Sequence, residues 1–521
     1  MEKEKREEEL RQDTAEMRSS VAKYCKEVEK TKKQIRAVSA NSVLSVIVTI
    51  GGAVIWFCQY NLFGAFLIFV GLMFTIILLG RLITALDDRD DLEAKKLGHE
   101  RFLQRVSGEW EKIPDTGAEY TSEDQMAQTD KKIFGEGSLY QYICHAHTTG
   151  GKKKLAEVLK CPDMTEKEFC LRQQAVQGMS ERIMVNVVLD GYGCLYEKKC
   201  KQSGLDESEW KENLSKLVEE ANAENPFWVY MASSAYLCGF CVIGLGVAVG
   251  HWHVFLLIGY AIMGIIITLL TKKKVQKHLV DLYKPFLVIG EIENMLWLFS
   301  YSGYEAPYLK ALQYYLVGKK VPNYLGVSEG VRTLLPQMVK MKILYELYNW
   351  TRKPVIHLLV SGIGLFDVYL LGAAITWMQK NGRQMVKAID ILEEVEMLNS
   401  LASIARLHRC CIPSIDEDKY PEFIMRGMFC PLEDAESETV YDIQLEQESV
   451  RISSERRAEP EELLPAIGMN LVLAYAGSVV CAEEMRLSGK KVISTIYNME
   501  LCRFAENYHM EECQEQTSVR F

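Results

Sequence analysis

From Ala37 to Gly80 the chain carries no charged side chain, and the same holds from Asn225 to Thr271. Each run is about twice the roughly 20 residues that cross a bilayer as a helix. Each is interrupted near its middle by polar or turn-forming residues, Gln59-Tyr60-Asn61 in the first and Gly250-His251-Trp252-His253 in the second. The pattern predicts two helical hairpins, four transmembrane helices in all, at residues 39–83 and 226–271. Ahead of the first, Leu10, Met17, Val21, Tyr24, Val28, Ile35 and Val38 recur at helical spacing, so residues 1–38 form an amphipathic helix or a short coiled coil.

A third apolar stretch, Val355 to Met378, contains His357 and Asp367. An Asp near the centre of a membrane span costs roughly 2.5–3.5 kcal/mol, so this stretch reads as a buried helix of a soluble domain. Met338 to Trp350 and Met385 to Leu407 are also helical in period. Strand signals are confined to the part after Cys411, around Ile443 and Val450.

Charge supplies an orientation. Lys23, Lys26, Lys30, Lys32, Lys33 and Arg36 precede the first hairpin, Lys272, Lys273, Lys274 and Lys277 follow the second, and neither tip carries any Lys or Arg. The positive-inside rule then places both tips outside, and the N-terminus, residues 82–224 and everything after 272 in the cytoplasm of a multi-pass cell-membrane protein. The densely charged first 36 residues argue against a signal peptide. Over 521 residues the net charge is -10, which excludes a whole-molecule basic field for nucleic acid. The 15 Cys are odd in number, and the CxxC of Cys238 and Cys241 lies inside an apolar run, so reduced, buried thiols are expected and no zinc site. Cys144-His145-Ala146-His147 is the densest group of metal-ligating types, but a helix would turn its two His to different faces, so no metal is assigned.

The segment Asp130 to Leu159 reads as a helix, a Thr-Thr-Gly-Gly break and a second helix, with Gly150 and Gly151 expected to take positive φ at the end of the first. With Arg172-Gln173 opening a later helix, the segment resembles the lever domain of the MutS family of mismatch-repair ATPases. The similarity resumes at Leu365-Phe366-Asp367 and Trp377, at Glu394 to Ala405, and in IGMNLVLAYAGSVVCA from Ile467 to Ala482, which is similar to the helix after the family's phosphate-binding loop. The resemblance implies a mainly α membrane-bound branch with a small α/β part. Its lever core would occupy 84–225 and 272–415, and a truncated, degenerate ATPase domain 416–521.

A phosphate loop needs glycines to wrap phosphate, a Lys for the outer phosphates and a Ser or Thr for Mg²⁺. The resemblance places that loop at Ser454 to Glu461, reading SERRAEPE. Ser454 and Glu459 stand where glycines belong, Pro460 where the Lys belongs and Glu461 where the hydroxyl belongs. Pro465 suggests that the helix itself begins one turn later. Cys430 replaces the His of the family's His-Pro-Leu, no Walker B strand follows Pro460, and nothing before Asp130 houses a mismatch-reading domain. The expectation is a non-catalytic membrane-tethered scaffold with no cofactor, where intact members use ATP and Mg. Its partners would be the lipid bilayer and a second copy or an intact MutS-like protein, with DNA bound weakly at most, through patches such as Lys152 to Lys154. The alternatives are ATP-dependent DNA binding completed by such a partner, and a decaying copy without a selected role.

Overall fold

The computed structural model describes residues 2–59, 62–121, 132–161, 164–205, 207–318, 334–352, 357, 360, 362–416, 423–433, 439–446, 449–454, 460–488 and 517–520. In chain order the helices are α1 (Glu2–Gln59), α2 (Leu62–Val106), α3 (Leu139–Ile143), α4 (Thr149–Leu159), α5 (Glu166–Ser180), α6 (Ile183–Ser203), α7 (Glu207–Ala223), α8 (Phe227–Ala248), α9 (Val254–Tyr283), α10 (Ile289–Tyr301), α11 (Pro307–Val317), α12 (Leu334–Thr351), α13 (Phe366–Ala402), α14 (Ile404–Leu407) and α15 (Pro460–Tyr475). The strands are β1 (Ser414–Asp416), β2 (Phe423–Met428), β3 (Tyr441–Glu446), β4 (Ser449–Ser454), β5 (Glu484–Ser488) and β6 (Thr517–Arg520). Two compact units result, one of Met1–Ile113 with Asn186–Leu195, the other of Pro114–Val185 with Tyr196–Phe521.

In the first unit the boundary expected at residue 38 falls inside α1, which runs without a break from the charged N-terminal region into the first apolar run. Its stripe is a seam against α2: Met17 and Val28 are buried, and Tyr24 meets His99 edge to face at 5.4 Å. Nearer the tip the two helices touch through small residues. The Ser45 and Thr75 hydroxyls lie 2.8 Å apart, and a Cβ on Gly71 would stand 2.3 Å from Thr49 Oγ1. Outward, Phe69 and Ile76 are 67% and 69% exposed, which a water-facing helix does not sustain over such a length. Below the apolar part, α2 meets the Asn186–Leu195 stretch of α6 at a crossing so close that a Cβ on Gly98 would lie 2.0 Å from the Val187 carbonyl oxygen.

The second unit is organised on α13, whose residues from Ile391 to Leu401 are buried on nearly every side, a pattern that requires neighbours all round. Along its whole length α13 is met by α4, α5, α7, α8, α9 and α12. Leu392, Leu398 and Leu401 are fully buried, each worth about 1.5–3 kcal/mol relative to exposure. The hairpin of α8 and α9 turns at Gly250, φ 81, where the backbone N–H groups of His251 and Trp252 both donate to the Gly246 carbonyl. Phe255 and Leu270 on α9 are 78% and 80% exposed. The described residues thus contain four helices long and apolar enough to cross a membrane: Thr14–Trp56, Phe63–Val106, Phe227–Val247 and Val254–Thr271.

The third apolar stretch departs from expectation. Instead of one helix from Val355 to Met378, the chain is divided at Leu365, which has φ 48, and α13 starts after it. A non-glycine residue in the left-handed region interrupts the helical hydrogen-bond ladder. Asp367 is not stranded, because His357 Nε2 lies 2.8 Å from its Oδ2, a partner that the cost of an isolated Asp leaves out. Residues 353–356, 358, 359 and 361 lie outside the described ones.

All six strands follow Cys411, as the composition suggested, in the order β1-β5-β2-β3-β4-β6. The β1–β5 pair is parallel and every other pairing antiparallel. Along β3 the alternation is clear, Tyr441 and Ile443 buried, Asp442 and Gln444 exposed. The register breaks between Met425 and Met428, where Gly427 takes φ 60 and its N–H donates to Asp442 Oδ1 at 2.7 Å. The thiols are mixed rather than uniformly buried. Among the described residues Cys144, Cys200, Cys430 and Cys481 are buried, whereas Cys25, Cys170, Cys238 and Cys241 are exposed, the last two because their helix turns its sides outward.

Candidate functional site

The expected helix break is present one step earlier than the glycines. Helix α3 ends at Ile143, Cys144 to His147 run outside helix, and Thr148 caps α4 by accepting the Gly151 N–H at 3.0 Å. Gly150 and Gly151 lie inside α4 and neither has positive φ. Space, not backbone freedom, demands them: a Cβ at Gly150 would meet the Glu393 carboxyl at 2.1 Å, and one at Gly151 would meet Glu396 Oε2 at 2.3 Å.

Glu396, on α13, occupies the N-terminus of α4 as an anion would. Its Oε1 accepts from His147 N at 3.1 Å, and its Oε2 accepts from Thr148 N at 3.2 Å and is bonded to the Thr148 hydroxyl. Complete burial pushes the Glu396 carboxyl up to about 7, against the pull of His147 and of the hydrogen bonds from Thr148 and His147. Next to it, Lys152 donates to Asp115 Oδ1 and to Glu197 Oε1, both at 2.7 Å, and His147 Nδ1 stands 3.3 Å from the same Glu197 oxygen. Burial opposes the charge on Glu197, yet His147 and Lys152 hold its carboxyl well below the usual carboxylate range. Burial likewise opposes the Lys152 ammonium, and Glu197 with Asp115 outweigh it and keep the group protonated above the ordinary lysine range.

This network corrects the reading of Lys152 to Lys154 as a phosphate patch. Lys152 is spent on internal carboxylates, Lys154 donates to the Asp390 carbonyl at 2.7 Å, and Lys153 is the exposed one, 3.8 Å from Glu157. A cavity of about 490 Å³ opens beside them, its lining including Thr149, Lys153, Lys211, Ser215 and Glu393. Three lysines and three glutamates share that lining, so it carries no net preference for an anion. Lys211 is itself bonded to Glu393, 2.8 Å to Oε1. The two histidines are likewise held by protein: His145 N donates to Ser400 Oγ at 2.9 Å, and His145 Nδ1 lies 2.9 Å from the Ile143 carbonyl.

At the expected phosphate loop the chain does run from strand to helix. Ser454 ends β4, paired across to Tyr441, and Pro460 is the first residue of α15, with Glu461 next. Glu459 lies outside the described residues. Among the described residues neither a glycine nor a lysine stands at the start of α15. Pro465 does not open the helix. It sits inside α15, because Pro460 fills the first position, where the missing N–H and fixed φ are harmless, and one lost hydrogen bond further along is tolerated. Cys430 is buried, and burial pushes its thiol up to about 11.

Two polar residues that sequence reading passed over hold these parts together. Asn470 on α15 donates to the Phe429 carbonyl at 3.0 Å and accepts from Cys481 N at 2.8 Å, which ties the helix to the ends of β2 and β5. Glu396 does the equivalent for α4. The signal in both cases is a polar residue at a core position of an otherwise apolar helix. The chain matches no known family model, and no curated protein sequence matches it.

Proposed function

We propose that this protein is a membrane-tethered, MutS-related interaction scaffold without a working nucleotide site. Both hairpins cross the cell membrane with their tips outside, and the helical core and the sheet lie in the cytoplasm. The observation that carries the reading is the opening of α15: Pro460 supplies no N–H to a phosphate, and Glu461 and Glu462 follow it in the first turn, where an approaching anion meets negative charge. The membrane part is supported by the outward-facing Phe69, Ile76, Phe255 and Leu270 and by the Lys and Arg that flank the hairpins. A scaffold of this kind works through its cytoplasmic surfaces, binding a second copy or an intact relative.

Calorimetric titration of the full chain in nanodiscs with Mg-ATP tests it. No binding heat up to millimolar nucleotide is expected. Micromolar affinity would overturn the reading and restore the alternative, an ATP-dependent DNA-binding protein of the same kind.

A further inference from the structure

We infer that the turn Gly362 to Asp367 is a re-entrant membrane tip, inserted from the cytoplasmic side against the second hairpin and presenting Ile363 to lipid acyl chains. The inference rests on the reading that α8 and α9 cross the bilayer. Close contacts at three glycines set the depth. A Cβ on Gly362 would lie 3.2 Å from the Ala261 carbonyl and 3.3 Å from Ile265, one on Gly364 would lie 3.5 Å from Leu237, and one on Gly372 would lie 3.2 Å from Val229. Gly364 and Gly372, eight residues apart, meet Leu237 and Val229, eight residues apart in the opposite sense, so the start of α13 runs antiparallel along the first half of α8. Leu237 is ten residues beyond Phe227 and Ala261 ten before Thr271, about 15 Å in each case. That is half of a hydrocarbon core of about 30 Å. Two helices of the hairpin thus give the same depth for the turn, the middle of the bilayer.

The local chemistry suits that position. Irregular backbone at membrane depth is tolerated where protein covers it, and Gly362 and Leu365 are buried, with the Tyr236 hydroxyl 3.4 Å from the Gly362 carbonyl. Ile363, between them, is 43% exposed. Asp367 lies in the first turn of α13, where the helix dipole favours a carboxylate, and His357 closes on it, so the one acidic group near the tip is paired. Arg352 precedes the turn and Lys380 and Arg383 follow it, cations that a returning segment keeps on the cytoplasmic side.

Depth-dependent quenching decides the matter. Ile363→Cys carries a bimane label in the full chain with its other reactive cysteines replaced, reconstituted in phosphatidylcholine–phosphatidylglycerol vesicles. Ile262→Cys, exposed on α9 and nine residues before Thr271, is the mid-depth hairpin control. Nitroxide placed deep in the acyl chain should quench the 363 label at least about twofold more than nitroxide at the headgroup, as a mid-bilayer position demands, and aqueous iodide should leave it unquenched. Iodide quenching, or no quenching, at 363 with deep quenching at 262 would overturn the tip alone. Loss of deep quenching at 262 would overturn the hairpin reading and the tip with it. Should Ile363→Cys fold poorly, p-benzoylphenylalanine at 363 in the otherwise unaltered chain gives the same answer: photocoupling to phospholipid supports the tip, and coupling to protein alone refutes it.

Discussion

The two hairpins are nearly indistinguishable as strings of apolar residues, and they are held in different ways. In the first, α1 and α2 grip each other through Thr49 and Gly71 and through Ser45 and Thr75, and their remaining sides face outward. In the second, α8 and α9 meet at a stacked tyrosine pair, Tyr236 and Tyr260, with centroids 4.5 Å apart, and a third element lies against them at Gly362 to Gly372. Absence of charge therefore reports that a segment can leave water. What it packs on there is set by where small residues and hydroxyls fall.

The sharpest way to break the comparison is a large residue at a glycine. Gly71→Leu would drive its side chain into Thr49, whose backbone lies 3.1 Å from the new Cβ, and should destabilise the α1–α2 pair by about 3 kcal/mol. Gly259→Leu in the second hairpin meets nothing within 4 Å and should stay within about 0.5 kcal/mol of the parent. Unfolding in mixed detergent–SDS micelles followed by circular dichroism measures both. Equal effects would show that the hairpins are held alike.

Away from the hairpins the contrast continues. The charged part of α1 has ion pairs such as Lys32 with Glu29, both largely exposed, which contribute little. The core around α13 hides Glu396, whose folded carboxyl titrates near 7 against an ordinary 4.5. A raised folded value means that this group's contribution is fully present below about pH 4.5 and is lost as pH rises through 7, a decline of about 3 kcal/mol. Glu197, held below the ordinary range, acts in the opposite sense, its contribution present above about pH 4.5 and lost on further acidification. Glu396→Gln, a mimic of the protonated acid, should flatten the decline between pH 4.5 and 7 in denaturation curves. An unchanged decline would assign it to another group.

A smaller effect belongs to the tyrosine pair. The Tyr236 hydroxyl has one proton, which it donates to the Tyr260 carbonyl with Gly362 O also within reach, so Tyr236→Phe removes that donor and keeps the stack and the bond from the Tyr260 hydroxyl to the Tyr236 carbonyl. A loss of about 1 kcal/mol is expected, measured by the same unfolding assay. No loss would mean that the Tyr236 hydroxyl contributes nothing to the second hairpin beyond the stack.

Much of the architecture was legible in the chain because its causes are local. Two long charge-free runs, a helical period elsewhere and turn-rich composition after Cys411 correspond to the four apolar helices, the α13 core and the sheet. The misreadings share one origin, a residue whose role depends on a partner distant in sequence. Gly150 and Gly151 looked like turn glycines, and they make room for Glu393 and Glu396 more than 240 residues away. Lys152 looked like a surface cation, and Asp115 and Glu197 claim it. At the start of α15 only the residue types, Pro460 and Glu461, were legible in advance, because identity needs no geometry to recognise.

The finest test of the comparison is the hydroxyl pair of the first hairpin. Ser45 Oγ and Thr75 Oγ1 are 2.8 Å apart, and each also has a carbonyl of its own helix within reach, Ser42 O at 2.9 Å and Gly71 O at 2.8 Å. Each hydroxyl has one proton, so when one donates across the interface it gives up its own carbonyl. Deleting either partner lets the other return to its helix, and no buried donor is left without an acceptor. The net coupling must then be small even in a medium without water, about 0.6 kcal/mol. A double-mutant cycle with Ser45→Ala and Thr75→Val, whose shapes change little, measures it. Coupling above about 2 kcal/mol, beyond what interhelical hydrogen bonds in membranes usually reach, would mean that hydroxyls and not the close approach at Gly71 hold α1 to α2. The two hairpins would then differ less than their contacts suggest.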